Sequence, residues 1–447
     1  MNETLASYAR RAVPRYTSYP TAPHFREDFA PATYADWLRR ADPARPVSLY
    51  LHVPFCRQVC SYCGCNMKLA ASYAPVAAYA EALHAEIELV AGLLPRGMKV
   101  IHLAWGGGTP TALAPDDLAA LMDRLRRHFT FLPEAELSIE SDPRTLTPDM
   151  AARIGALGFT RASFGVQEFD PKVQQAINRI QPPDMVARAV DGLRGAGVAR
   201  INFDLIYGLP HQTEETLLTT IGTAAAMRPD RVALFGYAHV PWMAKRQVMI
   251  PADALPGPED RLQLFETARR LFVWDGYAEI GIDHFAREGD SMAAAARAGR
   301  LRRNFQGYTD DTADTLIGIG ASAISRFPQG YAQNLSTSSR YAAAIEEGRL
   351  ATERGHAMTA EDRLRADMIE DLMCRFALDL PALSARHAVP LAALRDMTAG
   401  LRDRFAAHLS DNGDTIRLTD SSRLIARLAA HSLDARALPE GRHSRAL

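Results

Sequence analysis

The chain has 447 residues, with 51 Lys and Arg against 52 Asp and Glu, so its formal net charge is −1. Hydrophobic residues make up 47% and charged residues 23%, which are ordinary globular values and exclude a disordered or fibrous protein. A chain that coats nucleic acid would carry a basic excess, so we expect no nucleic-acid partner. Only four basic residues are lysines, and this arginine bias reflects either an alanine-rich genomic composition or the recognition of carboxylates.

Residues 1–40 are predicted to form a turn-rich arm, because residues 14–23 are too rich in proline and aromatic residues for regular structure. The aromatic residues favour packing over a face of the domain that follows. The arm contains no apolar stretch of signal-peptide length, and no later segment approaches the uncharged run of a membrane span. We therefore expect a cytoplasmic protein without a membrane partner.

Residues 41–345 alternate short β-branched runs with longer amphipathic stretches. Repeated βα units of this kind favour a parallel α/β sheet with right-handed crossovers, either doubly wound or a partial barrel. The predicted strands are residues 47–53, 100–105, 136–141, 161–167, 201–207 and 232–238.

Polar or glycine residues stand at or just after the C-terminal ends of several predicted strands. Barrel enzymes build their sites from many strand ends, whereas a doubly wound sheet concentrates its site at one switch point. Strand ends are also polar in proteins without a site there, but the pattern favours a partial (β/α)6 barrel. The strand-end residues are the cysteine loop, residues 106–109, Glu140, Gln167, Asp204 and residues 237–239.

A loop after the first predicted strand holds four of the five cysteines. Cys56, Cys60 and Cys63 have C-x3-C-x2-C spacing, which lets three thiolates hold three irons of a four-iron cluster and leaves the fourth iron open. Structural zinc is the main alternative, but its sites commonly use two ligand pairs separated by about a dozen residues or more. The spacing therefore predicts an iron–sulfur cluster. Cys65 follows Cys63 too closely to reach another corner, so we predict a role beside the cluster.

The second motif, Gly-Gly-Gly-Thr-Pro at residues 106–110, follows another predicted strand. Three glycines allow the backbone to approach a ligand closely. The motif lacks the lysine of a phosphate-binding loop and the spacing of a dinucleotide fingerprint, and alone it also fits a tight turn. Next to the cysteine loop, it predicts a cavity for a small polar cofactor.

Residues 346–447 change to helical patterns with one short strand pair, which is typical of a winged-helix-like C-terminal domain. Such modules bind DNA in many proteins, and they also serve as lids or docking surfaces. We therefore expect a mainly helical domain that could cover the barrel.

The cysteine loop and the glycine motif together resemble the radical S-adenosylmethionine (SAM) enzymes. The chain more narrowly resembles the oxygen-independent coproporphyrinogen III oxidases, from the N-terminal arm into the C-terminal region. This resemblance implies a partial βα barrel with a helical domain over its mouth. The similar segments are PRYTSYPT (14–21), SLYLHVPFC (48–56), Cys65-Asn66, HLAWGGGTPT (102–111), NFDLIYGLP (202–210), DHFA (283–286) and RNFQGYT (303–309).

The resemblance implies that Cys56, Cys60 and Cys63 hold a [4Fe–4S] cluster and that one SAM chelates the open iron. The positions that match the family's contacts to this SAM are Tyr50, Gly107, Glu140 and Ile324.

A second SAM and the substrate are also implied by the resemblance. The positions near the second SAM are Tyr62, Gly108, Thr109, Gln167, Arg179, Asp204 and Ala238. Because arginine binds carboxylates bidentately, Arg15 and Arg303 are candidates to contact the substrate. The full set of candidate substrate-site residues is Arg15, Cys65, Asp283, Arg303, Phe305 and Gln306.

The implied activity is that of an oxidoreductase of heme biosynthesis. A SAM-derived 5′-deoxyadenosyl radical removes hydrogen from two propionate side chains of coproporphyrinogen III, which become vinyl groups and give protoporphyrinogen IX. The expected partners are this substrate and an electron donor such as a flavodoxin or ferredoxin, and the expected state is a monomer.

One alternative is the related heme chaperones, which do not decarboxylate; Cys65 and residues 14–21 favour the oxidase. Another is a non-catalytic iron–sulfur or zinc regulator that binds DNA through its C-terminal module.

Overall fold

The computed structural model describes residue 11 and residues 13–436 of the chain. Residues 1–10 and 12 of the predicted arm and residues 437–447 of the predicted C-terminal domain lie outside the described residues. Within the described ranges, no helix is long and apolar enough to cross a membrane.

A 12-stranded sheet forms the centre of the molecule, and six parallel strands in chain order form its middle. We label these strands β1 (Val47–Val53), β2 (Lys99–Gly107), β3 (Thr130–Ser141), β4 (Arg161–Gln167), β5 (Arg200–Tyr207) and β6 (Arg231–Gly236). Helices that follow them are Ala74–Leu93, Pro115–His128, Pro148–Ala156, Pro171–Ala176, Pro183–Gly195, Glu214–Ala226 and Pro258–Trp274. This order confirms the predicted partial (β/α)6 barrel.

Burial on both faces explains why these strands are recognisable in the sequence. Leu49 and Leu51 of β1, Phe164 of β4 and Phe203 of β5 have no exposed surface. Parallel strands covered by helices on both sides read as nearly continuous apolar runs. The same packing places the C-terminal ends of all six strands at one end of the barrel.

Further strands extend both edges of the sheet. Beside β6 lies the antiparallel pair Tyr277–Ile280 and His284–Arg287. Beside β1 the strand Leu316–Ile319 runs parallel, and antiparallel strands continue from it. These later strands are Ile324–Phe327, Gly330–Asn334 and Thr352–Ala357.

The sheet extends to Ala357, beyond the domain boundary that the sequence predicts at residue 345. Helix Ser338–Glu346 crosses that boundary, and the strand Thr352–Ala357 pairs with Gly330–Asn334. This last strand is mostly polar and half-buried, because it lies at the sheet edge. It therefore lacks the apolar run that reveals a central strand.

The N-terminal arm is partly helical, which its turn-rich sequence does not predict. Helix Pro31–Arg39 buries Tyr34 and Trp37 in the barrel core. Upstream of this helix, the Arg26 backbone exchanges hydrogen bonds with Gly355 of the edge strand at 2.8 and 3.1 Å. The arm is thus packed along the sheet.

The C-terminal region has its own apolar core, and the arm contributes to it. Tyr16 and Tyr19 are buried there with the C-terminal helices, and the Tyr16 hydroxyl donates to Asp434 Oδ2 at 2.9 Å. The helices are Ala360–Arg375, Leu380–His387, Leu391–Met397, Ala399–Phe405 and Ala426–His431, and the three-stranded sheet is Ala377–Asp379, Thr415–Leu418 and Leu409–Asp411.

Several short elements connect these units. The remaining helix is Ser291–Arg297, and the remaining strands are Phe55–Cys56, Lys68–Leu69, Arg302–Asn304 and Gly307–Thr309.

A buried carboxyl group joins the first barrel helix to the added strands. Glu86 accepts hydrogen bonds from Tyr341 Oη, the Gly320 backbone N–H and Asn334 Nδ2, each at 2.6 Å. Burial raises the pKa of Glu86 from 4.5 to about 7. The folded protein therefore binds a proton here that the unfolded chain has released between these pH values.

We expect Glu86→Gln to destabilise the protein most at low pH. Since stability falls with pH where the folded state binds more protons, the contribution of Glu86 declines as pH rises from about 4.5 to about 7. Urea unfolding should show a loss of about 2 kcal/mol at pH 5 that shrinks at pH 8. The exposed Glu81→Gln on the same helix is the control. A loss that grows with pH would contradict this prediction.

Candidate active site

The three predicted cluster ligands lie on the loop that leaves the C-terminal end of β1. Cys56 ends a short strand paired with Lys68–Leu69, and its Sγ lies 3.5 Å from Thr109 Oγ1. Cys60 is buried, whereas Cys63 is half-buried and accepts a hydrogen bond from the Cys65 backbone N–H at 3.4 Å. In the described part of the chain, no group of three or more His, Cys, Asp and Glu is placed to hold a single metal ion.

Two arginines surround Cys60. Arg144 Nη2 and Arg179 Nη1 each donate to Cys60 Sγ at 3.3 Å. Both guanidiniums also contact Asp142, and although burial opposes ionisation, they hold the pKa of this carboxyl below its ordinary value. The positive charge compensates the negative thiolates that an iron–sulfur cluster requires.

Cys65 lies two residues beyond Cys63 and is not one of the three predicted cluster ligands. A hydrogen bond from Cys65 lowers the pKa of the Cys63 thiol to about 6, in spite of burial. Cys65 is also an electrostatic neighbour of Arg15, Tyr50 and Tyr62. Its thiol therefore faces candidate cofactor and substrate residues as well as the cysteine loop.

The three glycines at the end of β2, of which Gly108 directly follows the strand, fit between the cysteine loop and the neighbouring strand. A Cβ at Gly106 would lie 2.8 Å from Glu140 Oε1, and one at Gly108 would lie 2.7 Å from the Phe55 carbonyl oxygen. Gly107 has φ +118, and its N–H donates to Glu140 Oε2 at 3.1 Å. Only glycine allows this close approach, so the motif packs directly against both the cysteine loop and Glu140 of β3.

Two buried carboxyl groups lie on strands β3 and β5. Burial and, to a smaller extent, the nearby Asp204 together raise the pKa of Glu140 to about 7. Burial likewise raises the pKa of Asp204 to about 6. Such groups are suited to accept hydrogen bonds from hydroxyl or amino groups of a ligand.

The end of β4 contains a strained residue with an unpaired oxygen. Gln167 has φ +66, and its buried Oε1 has no hydrogen-bond partner among the described residues. Arg179 Nε donates to the Gly165 carbonyl oxygen at 3.2 Å, on the same strand. Strained residues and unpaired buried polar atoms concentrate at ligand sites, so Gln167 fits the edge of a cofactor site.

Two further candidates are joined by a side chain that the sequence analysis missed. Gln247 Nε2 donates to the backbone oxygens of Tyr62 at 2.7 Å and Ala238 at 3.0 Å. The structure thus brings the cysteine loop and the end of β6 together through Gln247.

One cavity of about 180 Å³ is lined both by candidates for the first SAM and by candidates for the substrate. It is lined by Tyr50 and Ile324, and by Phe305 and Gln306 from the loop after Arg302–Asn304. Tyr50 Oη lies 3.0 Å from His52 Nδ1. Two of the four candidates for the first SAM therefore line the same cavity as two candidates for the substrate.

A second cavity contains a group of arginines around one carboxylate. Arg15 of the arm, Arg303 and Asp283 line it, as do Arg261 and Arg427, which the sequence analysis missed. Although burial opposes ionisation, His284, Arg303 and Arg15 hold the pKa of Asp283 at about 2. Four guanidiniums against one carboxylate leave an excess of positive charge.

Arg303 retains unused hydrogen-bonding capacity in this cavity. Its Nε and Nη1 are buried and have no partner among the described residues, while its Cζ lies 4.3 Å from the centre of the Tyr308 ring. Buried guanidinium donors of this kind are suited to a carboxylate ligand.

The missed residues differ in whether the sequence carries a signal for them. Asp142 and Arg144 follow Glu140 at the end of β3, so the strand-end rule could have included them. Arg261 and Arg427 belong to a helix and to the C-terminal domain, and only the packing of distant segments brings them to the cavity.

Comparison with known proteins agrees with this arrangement. Residues 50–224 match the model of the Radical SAM superfamily. The chain is 46% identical to an oxygen-independent coproporphyrinogen III oxidase of Paracoccus denitrificans, over 97% of this chain and 96% of the relative. It is 49% identical to one of Bradyrhizobium diazoefficiens, over 99% and 98%.

The fold is also similar to a solved structure over nearly the whole chain. The coproporphyrinogen III oxidase of Escherichia coli, described as a radical SAM enzyme, superposes with a TM-score of 0.91 and 38% identity. The match covers 95% of this chain and 98% of that one. Since these relatives are similar over nearly their whole length, the chain belongs to the oxygen-independent coproporphyrinogen III oxidase family of radical SAM enzymes.

Proposed function

We propose that this protein converts two propionate side chains of coproporphyrinogen III to vinyl groups without oxygen, giving protoporphyrinogen IX in heme biosynthesis. The observation that carries the proposal is a three-thiol loop beside the buried carboxyls Glu140 and Asp204, where parallel barrel strands end. The names of the relatives support the substrate. Each conversion removes one hydrogen atom, which the SAM-derived radical takes up, one CO2, and one electron, which passes to an external electron acceptor.

Cys56, Cys60 and Cys63 hold the [4Fe–4S] cluster in this proposal. The donor set fits because the cysteines share one loop and two guanidiniums offset the charge at Cys60. When bound, the cluster and SAM supply the carbon radical that removes hydrogen from the substrate.

The chain's own residues bind and orient SAM. Tyr50, Gly107, Glu140 and Ile324 contact the first SAM. Two observations support this role: Tyr50 and Ile324 line one cavity, and the Gly107 N–H donates to Glu140 Oε2. At the second SAM, Asp204 accepts from ribose hydroxyls and Arg179 pairs with the carboxylate. The other second-SAM contacts are Tyr62, Gly108, Thr109, Gln167 and Ala238.

The arginine cavity receives propionate groups of the substrate. Arg15 and Arg303 donate to carboxylates, and the unpartnered Nε and Nη1 of Arg303 support this role. The carboxylate of Asp283 lines the same cavity and interacts electrostatically with both guanidiniums. The arm and the C-terminal domain, joined by Tyr16 and Asp434, limit access of water to the reacting groups.

The protein acts as a cytoplasmic monomer that receives electrons from a flavodoxin or ferredoxin.

The test of the proposed function is anaerobic reconstitution with iron and sulfide, followed by reduction with dithionite in the presence of SAM and coproporphyrinogen III. Formation of methionine, CO2 and protoporphyrinogen IX supports the proposal. SAM cleavage without vinyl formation on added coproporphyrinogen III would contradict it.

Serine substitution should separate the cluster ligands from Cys65. We expect Cys56→Ser, Cys60→Ser and Cys63→Ser to lose most iron and sulfide after anaerobic reconstitution, because each removes a ligand. Cys65→Ser is the matched control and should keep the cluster. Loss of the cluster only in Cys65→Ser would overturn the ligand assignment.

Removing the Asp204 carboxylate should test the second SAM. We expect Asp204→Ala to keep the cluster and one SAM per chain but to lose the second SAM and most vinyl formation. Equilibrium dialysis of the anaerobic holoprotein with labelled SAM measures this stoichiometry, with the exposed Asp191→Ala as control. A wild-type protein that saturates at one SAM per cluster would contradict the two-site proposal.

Substitution of the cavity arginines should weaken substrate binding. We expect Arg15→Ala and Arg303→Ala each to raise the KM for coproporphyrinogen III about tenfold or more, because each loses a charge-assisted hydrogen bond. The exposed Arg188→Ala should not change it. Unchanged turnover and KM in both cavity variants would show that neither arginine contacts a propionate.

A further inference from the structure

Three segments of the chain meet around the cysteine loop and form one outer surface. We call residues 56–73, 171–182 and 239–250 the cluster-loop surface. The Ser61 N–H donates to the Ile177 oxygen at 2.9 Å, and Asn178 Nδ2 donates to the Val59 oxygen at 2.8 Å. Residues 239–250 are attached through Arg246, whose Nη2 donates to the Met67 oxygen at 2.8 Å, and through Gln247.

The cluster-loop surface exposes an unusual number of large apolar side chains. Ten large hydrophobic side chains are strongly exposed among the described residues, and seven of them belong to this surface. Folded proteins seldom expose contiguous apolar groups of this size unless a partner covers them. The seven side chains, between 36% and 74% exposed, are Leu69, Tyr73, Ile180, Trp242, Met243, Val248 and Met249.

The charged residues of the three segments are all basic, although Asp117 borders them and accepts a hydrogen bond from Tyr73 Oη. Lys68, Lys172 and Lys245 are exposed there, so it holds three of the four lysines of the chain. Arg57 is exposed beside them. The three segments contain no Asp or Glu, although the whole chain has 52. A surface that combines exposed apolar and basic side chains is complementary to an acidic protein surface.

We propose that the cluster-loop surface is the docking site of a small acidic protein that donates single electrons. The inference rests on the proposed function, in which the reduced donor loses one electron to the cluster held by Cys56, Cys60 and Cys63. Docking here places the donor directly against the loop that carries these cysteines. The basic side chains of this surface attract the acidic donor, and the apolar side chains exclude water from the contact.

The test compares two reductants on the reconstituted holoprotein. The variants are the triple charge reversal Lys68→Glu, Lys172→Glu and Lys245→Glu, and separately Trp242→Ser. Matched controls are Lys99→Glu and Trp274→Ser. Lys99 lies at the opposite end of the barrel, where β2 begins, and Trp274 is 85% exposed at the end of helix Pro258–Trp274. SAM cleavage is measured with dithionite and with an enzymatically reduced flavodoxin as the acidic probe.

We expect flavodoxin-driven SAM cleavage at low flavodoxin concentration to fall about tenfold or more in the triple variant, and its dependence on salt to weaken. Trp242→Ser should raise the flavodoxin concentration needed for half-maximal rate. Dithionite-driven cleavage should stay at the wild-type rate in all variants, and both controls should resemble wild type with either reductant.

Each other outcome overturns the inference in a recognisable way. Unchanged flavodoxin-driven rates in the surface variants would exclude docking here. Equal losses with both reductants would show damage to the site rather than to docking. Sedimentation of the wild type, but not the triple variant, with anionic lipid vesicles and without a flavodoxin effect would assign the surface to a membrane. Failure of wild-type SAM cleavage with dithionite would instead refute the proposed function, on which the docking depends.

Discussion

The hydrogen bonds from Arg144 and Arg179 to Cys60 tie the cysteine loop to the barrel, and the rest of the site depends on this attachment. Arg179 also binds the Gly165 oxygen of β4, while Asp142 at the end of β3 holds both guanidiniums. The loop is thereby held by the ends of two barrel strands, and not only by its own short strand Phe55–Cys56. The glycines at the end of β2 then fill the remaining gap, where no side chain could fit.

Sequence patterns predicted the parts of the fold that burial makes regular. The bounds of β1 and β4 agree with the predicted strands because their residues are buried on both faces. The polar edge strand Thr352–Ala357 and the helix Pro31–Arg39 were missed, since their stability comes from contacts with distant segments. Local periodicity reports how one face is buried, and it carries no information about which distant segment covers it.

The candidate site divides in the same way. Short-range motifs identified the cysteine loop and the glycines, because the ligands and the close backbone approaches lie within a few residues of one another. The arginine cavity combines the arm, two barrel loops, a helix and the C-terminal domain, so no local pattern marks Arg261 or Arg427. For Arg15 and Arg303 the sequence offered only a chemical argument, the need of carboxylates for cations, and the structure brings both side chains to one cavity.

The bond between Tyr16 and Asp434 joins residues 418 positions apart. During synthesis the cysteine loop emerges early, whereas the partner of the arm leaves the ribosome near the end of translation. A contact of such long range forms late in folding, because the entropy of closing the chain must be offset first. The cysteine loop and the barrel strands that hold it are therefore synthesised before the arm can meet its partner. Contact of the arm with the C-terminal domain then completes the arginine cavity last, because Arg15 and Arg427 come from these two segments.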